Sequence, residues 1–228
     1  MTEEPSYDRL VELLTQLYGS VTELVSGLGP AGFLVPTRSK AWSVQDLVFH
    51  MLLDAQRALR AFACRTGANA DVDEVTYWRP FRPDAGDGGV AHARFVRIAA
   101  SAYARPEEDL VWHWSSTTDA TLRAAAAMEP GTRIETQGHV LEVTDFVHTL
   151  VVEATVHLLD LGLEAPADPP PEPALRLVRG VLDGLLGEPV RGEWSDTEYV
   201  LKGTGRVRLT ASDVAVLGEQ AERLPLLG

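Results

Sequence analysis

The sequence predicts a mainly α fold, a bundle of long helices followed by a small α+β C-terminal region. Three observations predict it. Residues 7–28 carry Leu10, Leu13, Leu14, Leu17, Val21, Leu24, Val25 and Leu28, which is a helical period. Trp42-Ser43-Val44-Gln45-Asp46-Leu47 is a helix start. Ser43 suits the N-cap, Asp46 falls where a capping-box acid sits, and Trp42 and Leu47 take the staple positions. Residues 144–161 carry the stripe Phe146, Leu150, Glu153, His157, Leu161, spaced four, three, four and four residues apart along one helical face.

The elements follow in order. The first helix ends at Gly29-Pro30. The second runs from Ser43 to about residue 65 and stops at Gly67. Residues 68–89, rich in Gly, Asp and Pro, read as loop. A shorter helical stretch covers 90–104, and Pro106 opens a helix over 107–128. Residues 131–141 read as a hairpin turning near Gln137-Gly138. Thr144 is placed to cap the next helix. Residues 166–173 are Pro-rich and divide the chain into domains 1–164 and 165–228. Beyond them, 174–187 read as helix, 198–202 and 206–209 as strands around Gly203-Thr204-Gly205, and 211–223 as a helix capped by Thr210.

Composition narrows the function. The chain has 228 residues, 45% hydrophobic and 23% charged, enough for one large domain or two modest ones. No run of 18 apolar residues exists, so no membrane span is expected. The acidic N-terminus lacks the apolar stretch of a secretory signal. Cys64 is the sole cysteine, which excludes an internal disulfide and fits the cytoplasm. A formal net charge of −13 and a pI of about 4.8 argue against nucleic acid and anionic membrane surfaces as partners. The composition is compatible with a homodimer.

Glu153 and His157 point inward one turn apart. Burying either without a partner is costly. A metal ion is one partner, since carboxylate oxygen and imidazole nitrogen both bind zinc and its neighbours. The plainer alternative is that the two hydrogen-bond each other or line a solvated face. His50 sits at the edge of the face formed by Leu47, Met51, Asp54 and Ala58 on the second helix. Periodicity alone does not bring it to Glu153.

Trp42-Ser-Val-Gln-Asp-Leu-Val-Phe-His50 resembles the segment Trp-Ser/Thr-Val-x-Asp-Leu-Val-x-His of the DinB-like superfamily. More narrowly it resembles the mycothiol-dependent maleylpyruvate isomerase branch. Glu153-Ala-Thr-Val-His157-Leu-Leu-Asp160-Leu161 is similar to that branch's Glu-x-x-x-His-x-x-Asp-Leu segment. The resemblance spans roughly residues 7–163, and the C-terminal region resembles the appended domain of the same proteins. It implies a DinB-like four-helix bundle holding a divalent metal, usually zinc, on His50, Glu153 and His157. Three protein ligands and an open position make a catalytic pattern. The resemblance further implies that this position takes a thiol cosubstrate, mycothiol or a relative. Only a thiolate is a strong nucleophile, and a bound dication deprotonates a thiol. The implied reactions are S-transfer to a small electrophile or thiol-assisted cis-trans isomerisation.

Two alternatives stay open: a metal-dependent hydrolase on the same scaffold, and a non-catalytic bundle that binds a small molecule or serves a stress response. Asp160, three residues after His157, and Asp54, four after His50, are candidates to orient the ligand rings. The resemblance also points to an arginine of the C-terminal region at the active site, so Arg206 and Arg208 are candidates for substrate contact; an ordinary half-exposed strand reads the same way. Arg79 and Arg82 can line a pocket for an acidic substrate or simply face solvent. His148 reads as a surface residue, and His92, His113 and His139 as structural or solvated. Cys64 reads as a small buried apolar residue. Trp112 and Trp114 cannot share one helical face, which leaves one of them outside the core.

Overall fold

The computed structural model describes residues 5–39, 42–81, 88–162 and 168–227. Ser6 accepts from the Arg9 amide and opens α1, Tyr7–Ser26, whose predicted stripe is buried from Leu10 to Val25 except for the half-buried Leu24. Ser43 and Asp46 form the expected capping box at the start of α2, Val44–Ala63. Helix α3, Gly88–Ala100, is held to α2 by Gln45, whose Nε2 donates to the carbonyl of Ala100 at 2.7 Å. A wide turn at Pro106–Leu110 leads into α4, Val111–Ala126. Strands β1, Arg133–Thr136, and β2, His139–Glu142, form the expected hairpin. Gln137 and Gly138 both have positive φ, 49° and 82°, as a tight two-residue turn requires. Strand β2 runs directly into α5, Val143–Leu161, so the helix begins one residue before the expected cap. Glu142 takes the cap position in place of Thr144, without a side-chain hydrogen bond.

Helices α1, α2, α4 and α5 form the bundle: α1 packs on α5 and α4, and α2 packs on the same two. Tyr7 at the start of α1 donates to the carbonyl of Ala125 at the end of α4, and Trp114 at the start of α4 donates to Thr22 near the end of α1, so this pair is antiparallel. Rings of Phe62 and Phe146, and of His50 and His157, set α2 antiparallel to α5 in the same way. Trp114 is fully buried while Trp112 is exposed.

The C-terminal region corrects one expectation. Residues 198–202 do not form a strand but lie in α7, Asp196–Gly203. Ser195 caps it by accepting from the Glu198 amide, and Glu198 pairs with Lys202 one turn on, at 2.7 Å. Residues 206–209 are irregular rather than a second strand. Among the described residues the region is therefore helical, with α6, Glu172–Leu186, on α5, α7 on α6, and α8, Ala211–Leu217, capped by Thr210 as expected. Gly203 lets α7 approach α6, since a Cβ there would meet Leu182 at 2.8 Å. His148 is also not on the surface. It is half-buried with Nε2 sealed from solvent, and burial lowers its pKa to about 4 against a bond with the Leu177 backbone of α6. Arg82 and the expected boundary between residues 164 and 165 lie outside the described residues. No helix among the described residues is long and apolar enough to cross a membrane.

Candidate metal centre

Two helices supply the centre, each with a pair of residues one turn apart. Helix α2 carries His50 and Asp54, and its antiparallel neighbour α5 carries Glu153 and His157. One ligand atom from each lies within 4.8 Å of the others. The bundle thus brings together the three predicted ligands and places Asp54 among them, rather than behind them. Glu153 Oε2 is 3.0 Å from His157 Nε2, and Asp54 Oδ2 is 3.4 Å from His50 Nε2. A tetrahedral ion with donors at about 2.0–2.2 Å needs them about 3.3–3.6 Å apart; the two same-helix pairs are near that span, and the cluster as a whole lies within 4.8 Å.

The surroundings suit a cation. Arg57 Nη2 is 2.8 Å from Asp54 Oδ1, yet neither this contact nor that to His50 has hydrogen-bond geometry. Asp54 Oδ2 is therefore buried without a hydrogen-bond donor among the described residues, while Oδ1 faces the Arg57 guanidinium. Buried acceptors left without donors are costly, and a coordinated ion removes that cost. A cavity of about 10 Å³, room for one water-sized occupant, lies against Asp54, Glu153 and His157 and is closed by Tyr18, Met51 and Leu150. His157 and Asp54 are buried, whereas the Glu153 side chain is 31% exposed and marks the open side.

Ionisation follows from this geometry. Burial and two neighbouring histidines lower the His50 pKa to about 3, against the pull of Glu153, so it is neutral at neutral pH. Burial would lower His157 too, but bonds with Asp160 and Glu153 outweigh it and raise its pKa to about 9. Burial, then the charge of Glu153, raise Asp54 above the usual carboxylate range despite Arg57. Burial works against Glu153 as an anion, yet the bond with His157 holds its pKa below the ordinary value.

Both imidazoles are held from behind. His157 Nδ1 is 3.1 Å from the fully buried Asp160. Asp160 in turn accepts from Arg206 at 3.0 and 3.2 Å. The Arg206 guanidinium also donates to the Thr204 carbonyl. His50 Nδ1 is 3.2 Å from Nε2 of His92 on α3, and Trp42 packs against the His50 ring at 4.8 Å. Neither the His92 contact nor the Arg206–Asp160 pair is visible in local spacing, because each joins segments 42 or 46 residues apart. Arg208 and Arg79 are exposed, and neither makes a hydrogen bond or ion pair through its side chain among the described residues.

In comparison with known families, residues 14–162 match the mycothiol maleylpyruvate isomerase N-terminal domain. Comparisons with curated proteins and with solved structures return no match. The matched segment is well over half of the chain and contains all four clustered residues. This chain belongs to the mycothiol maleylpyruvate isomerase N-terminal domain family.

Proposed function

We propose that this chain is a divalent-metal-dependent enzyme that activates a low-molecular-weight thiol, mycothiol or a relative. It would use that thiol for S-transfer to, or isomerisation of, a small electrophile. The observation that carries this reading is the convergence of His50, Asp54, Glu153 and His157 inside the family-matched bundle. His50, Glu153 and His157 are the proposed ligands, with Asp54 as a further donor and zinc as the proposed ion. The ion supplies Lewis acidity, which turns a thiol into a nucleophile at neutral pH. The chain's own residues hold the geometry. Asp160 fixes the ring orientation of His157, and Arg206 fixes Asp160. Tyr18, Met51 and Leu150 exclude water from the buried side, leaving the Glu153 side for reactants. Residues 165–228 are read as a second domain that supports the centre through Arg206.

The test is conjugation of the fluorogenic electrophile monochlorobimane by metal-loaded protein. The reading expects turnover that needs both the metal and an added thiol. Turnover of electrophiles by water, without thiol, would favour a hydrolase. Inactivity with every thiol in a protein that takes up no metal would favour a bundle that only binds.

His92 supplies a separate prediction. With His50 Nε2 facing the cluster, its Nδ1–H donates to His92 Nε2. His92→Phe removes that acceptor and is expected to weaken metal binding by about 10–100-fold, the usual effect of an outer hydrogen-bond partner. His92→Gln keeps an acceptor oxygen and should retain most of the affinity. Competition with a chromophoric chelator measures both, and equal affinity in all three proteins would show that His92 does not govern His50.

A further inference from the structure

A second cavity, of about 370 Å³, lies between the last turns of α2 and the β1–β2 hairpin. Its size is within the range of small-molecule pockets. Arg57 and Arg60, one turn apart, line it together with Cys64, Thr136, Gln137 and His139. The hairpin wall is fixed. The amide of Glu135 donates to the Cys64 carbonyl, and Thr66 N donates to the Arg133 carbonyl, so the exit of α2 pairs with β1. His139 is held through Nδ1 by Asp71 at 2.9 Å.

Two guanidinium groups in one cavity stand out in a chain of net charge −13. Arg57 is partly engaged by Asp54, but Arg60 makes no ion pair among the described residues. The one carboxylate lining the cavity among the described residues, Glu135, is exposed and lies beyond ion-pair distance of either arginine. Arg57 also forms a shared wall, because the same side chain touches Asp54 of the metal-binding cluster at 2.8 Å. An acid group seated on Arg57 and Arg60 would therefore lie one side chain away from that cluster. We infer that this cavity is a binding site for the carboxylate group of a small molecule. That the molecule is the one the centre acts upon rests on the function proposed above; the anion site itself does not.

Cys64 provides the test, because it is the sole cysteine, is half-buried and lines this cavity. Its alkylation reports on the cavity alone. Metal-free protein is treated with iodoacetate, an anion, and with iodoacetamide, its neutral counterpart. In each case the thiolate displaces iodide and forms a thioether. The ratio of the two rates is expected to exceed that of free N-acetylcysteine by about two- to fivefold, the factor that one exposed ion pair supplies. Arg60→Gln should return the ratio to that of the free thiol while leaving the iodoacetamide rate unchanged, which also shows that the fold is intact. Glu135→Gln should raise the ratio further. Malonate, a carboxylate without a leaving group, should slow carboxymethylation in the wild type and not in Arg60→Gln. A wild-type ratio equal to that of free thiol, or one unaffected by Arg60→Gln, would overturn the inference. Because no metal is present, this result stands or falls separately from the metal centre.

Discussion

Replacing His157 with alanine is expected to weaken divalent-metal binding by more than about 100-fold and to abolish thiol-dependent turnover. Outer hydrogen-bond partners are typically worth 10–100-fold in affinity, and a ligand must exceed its supports. Proton release accompanies binding. In the metal-free protein, burial disfavours the His157 imidazolium, but Asp160 and Glu153 overcome this and raise its pKa to about 9. Metal needs the neutral imidazole, so uptake at pH 7 should expel about one proton from this residue, and affinity should rise with pH up to about 9. The stability sign is opposite. A pKa raised above the ordinary value of about 6.5 gives metal-free protein a stabilising contribution that is complete below that pH and is lost as pH climbs toward 9. His157→Ala should remove both effects. Calorimetry in buffers of different ionisation heat measures the proton; uptake without any release would contradict this account of the centre.

The second large effect is expected at Asp160. Its carboxylate is fully buried, engages His157 at 3.1 Å and accepts from Arg206, whose side chain is only 11% exposed. Asp160→Ala leaves the guanidinium without its anion. Breaking a buried ion pair from one side costs about 3–5 kcal/mol, so a large fall in the denaturation midpoint is expected. The freed His157 ring should also lower metal affinity by about 10–100-fold. Burial opposes ionisation of Asp160, but His157 and Arg206 outweigh it and hold its pKa below the usual carboxylate range. Its contribution is therefore present above the ordinary carboxylate pKa and lost as pH falls through the lowered value. Arg206→Ala should be milder for the metal, since Asp160 still holds His157. Urea unfolding beside chelator competition separates the two effects. An Asp160→Ala variant with wild-type stability and affinity would refute the support assigned to this residue.

The bundle was legible because its helices announce themselves locally. Leu10 through Val25 mark one buried face, and Ser43 with Asp46 marks a helix start. Glu153 and His157 were legible for the opposite reason: they interrupt an apolar face with groups that burial penalises. What lay beyond local spacing was the pairing of segments. Asp54 joins the cluster only because α2 packs against α5, and His92 reaches His50 only because α3 lies on α2. Arg206 meets Asp160 across 46 residues, and no periodicity encodes that contact. The misread strand has a local explanation. Glu198-Tyr199-Val200-Leu201-Lys202 contains strand-forming residues, but Ser195 caps the preceding turn and Glu198 pairs with Lys202 at helical spacing. The cap and the ion pair act together with burial of Tyr199 and Val200 against the rest of the core. Short β-prone runs are decided by such context rather than by propensity.

Metal content is the most direct test of the central claim. Elemental analysis of the purified protein, wild type beside His157→Ala, should find one divalent ion per chain in the first and a near-complete loss in the second. No metal in either protein, even after incubation with zinc, would contradict the account and leave His50, Asp54, Glu153 and His157 as a polar cluster held only by side-chain pairing.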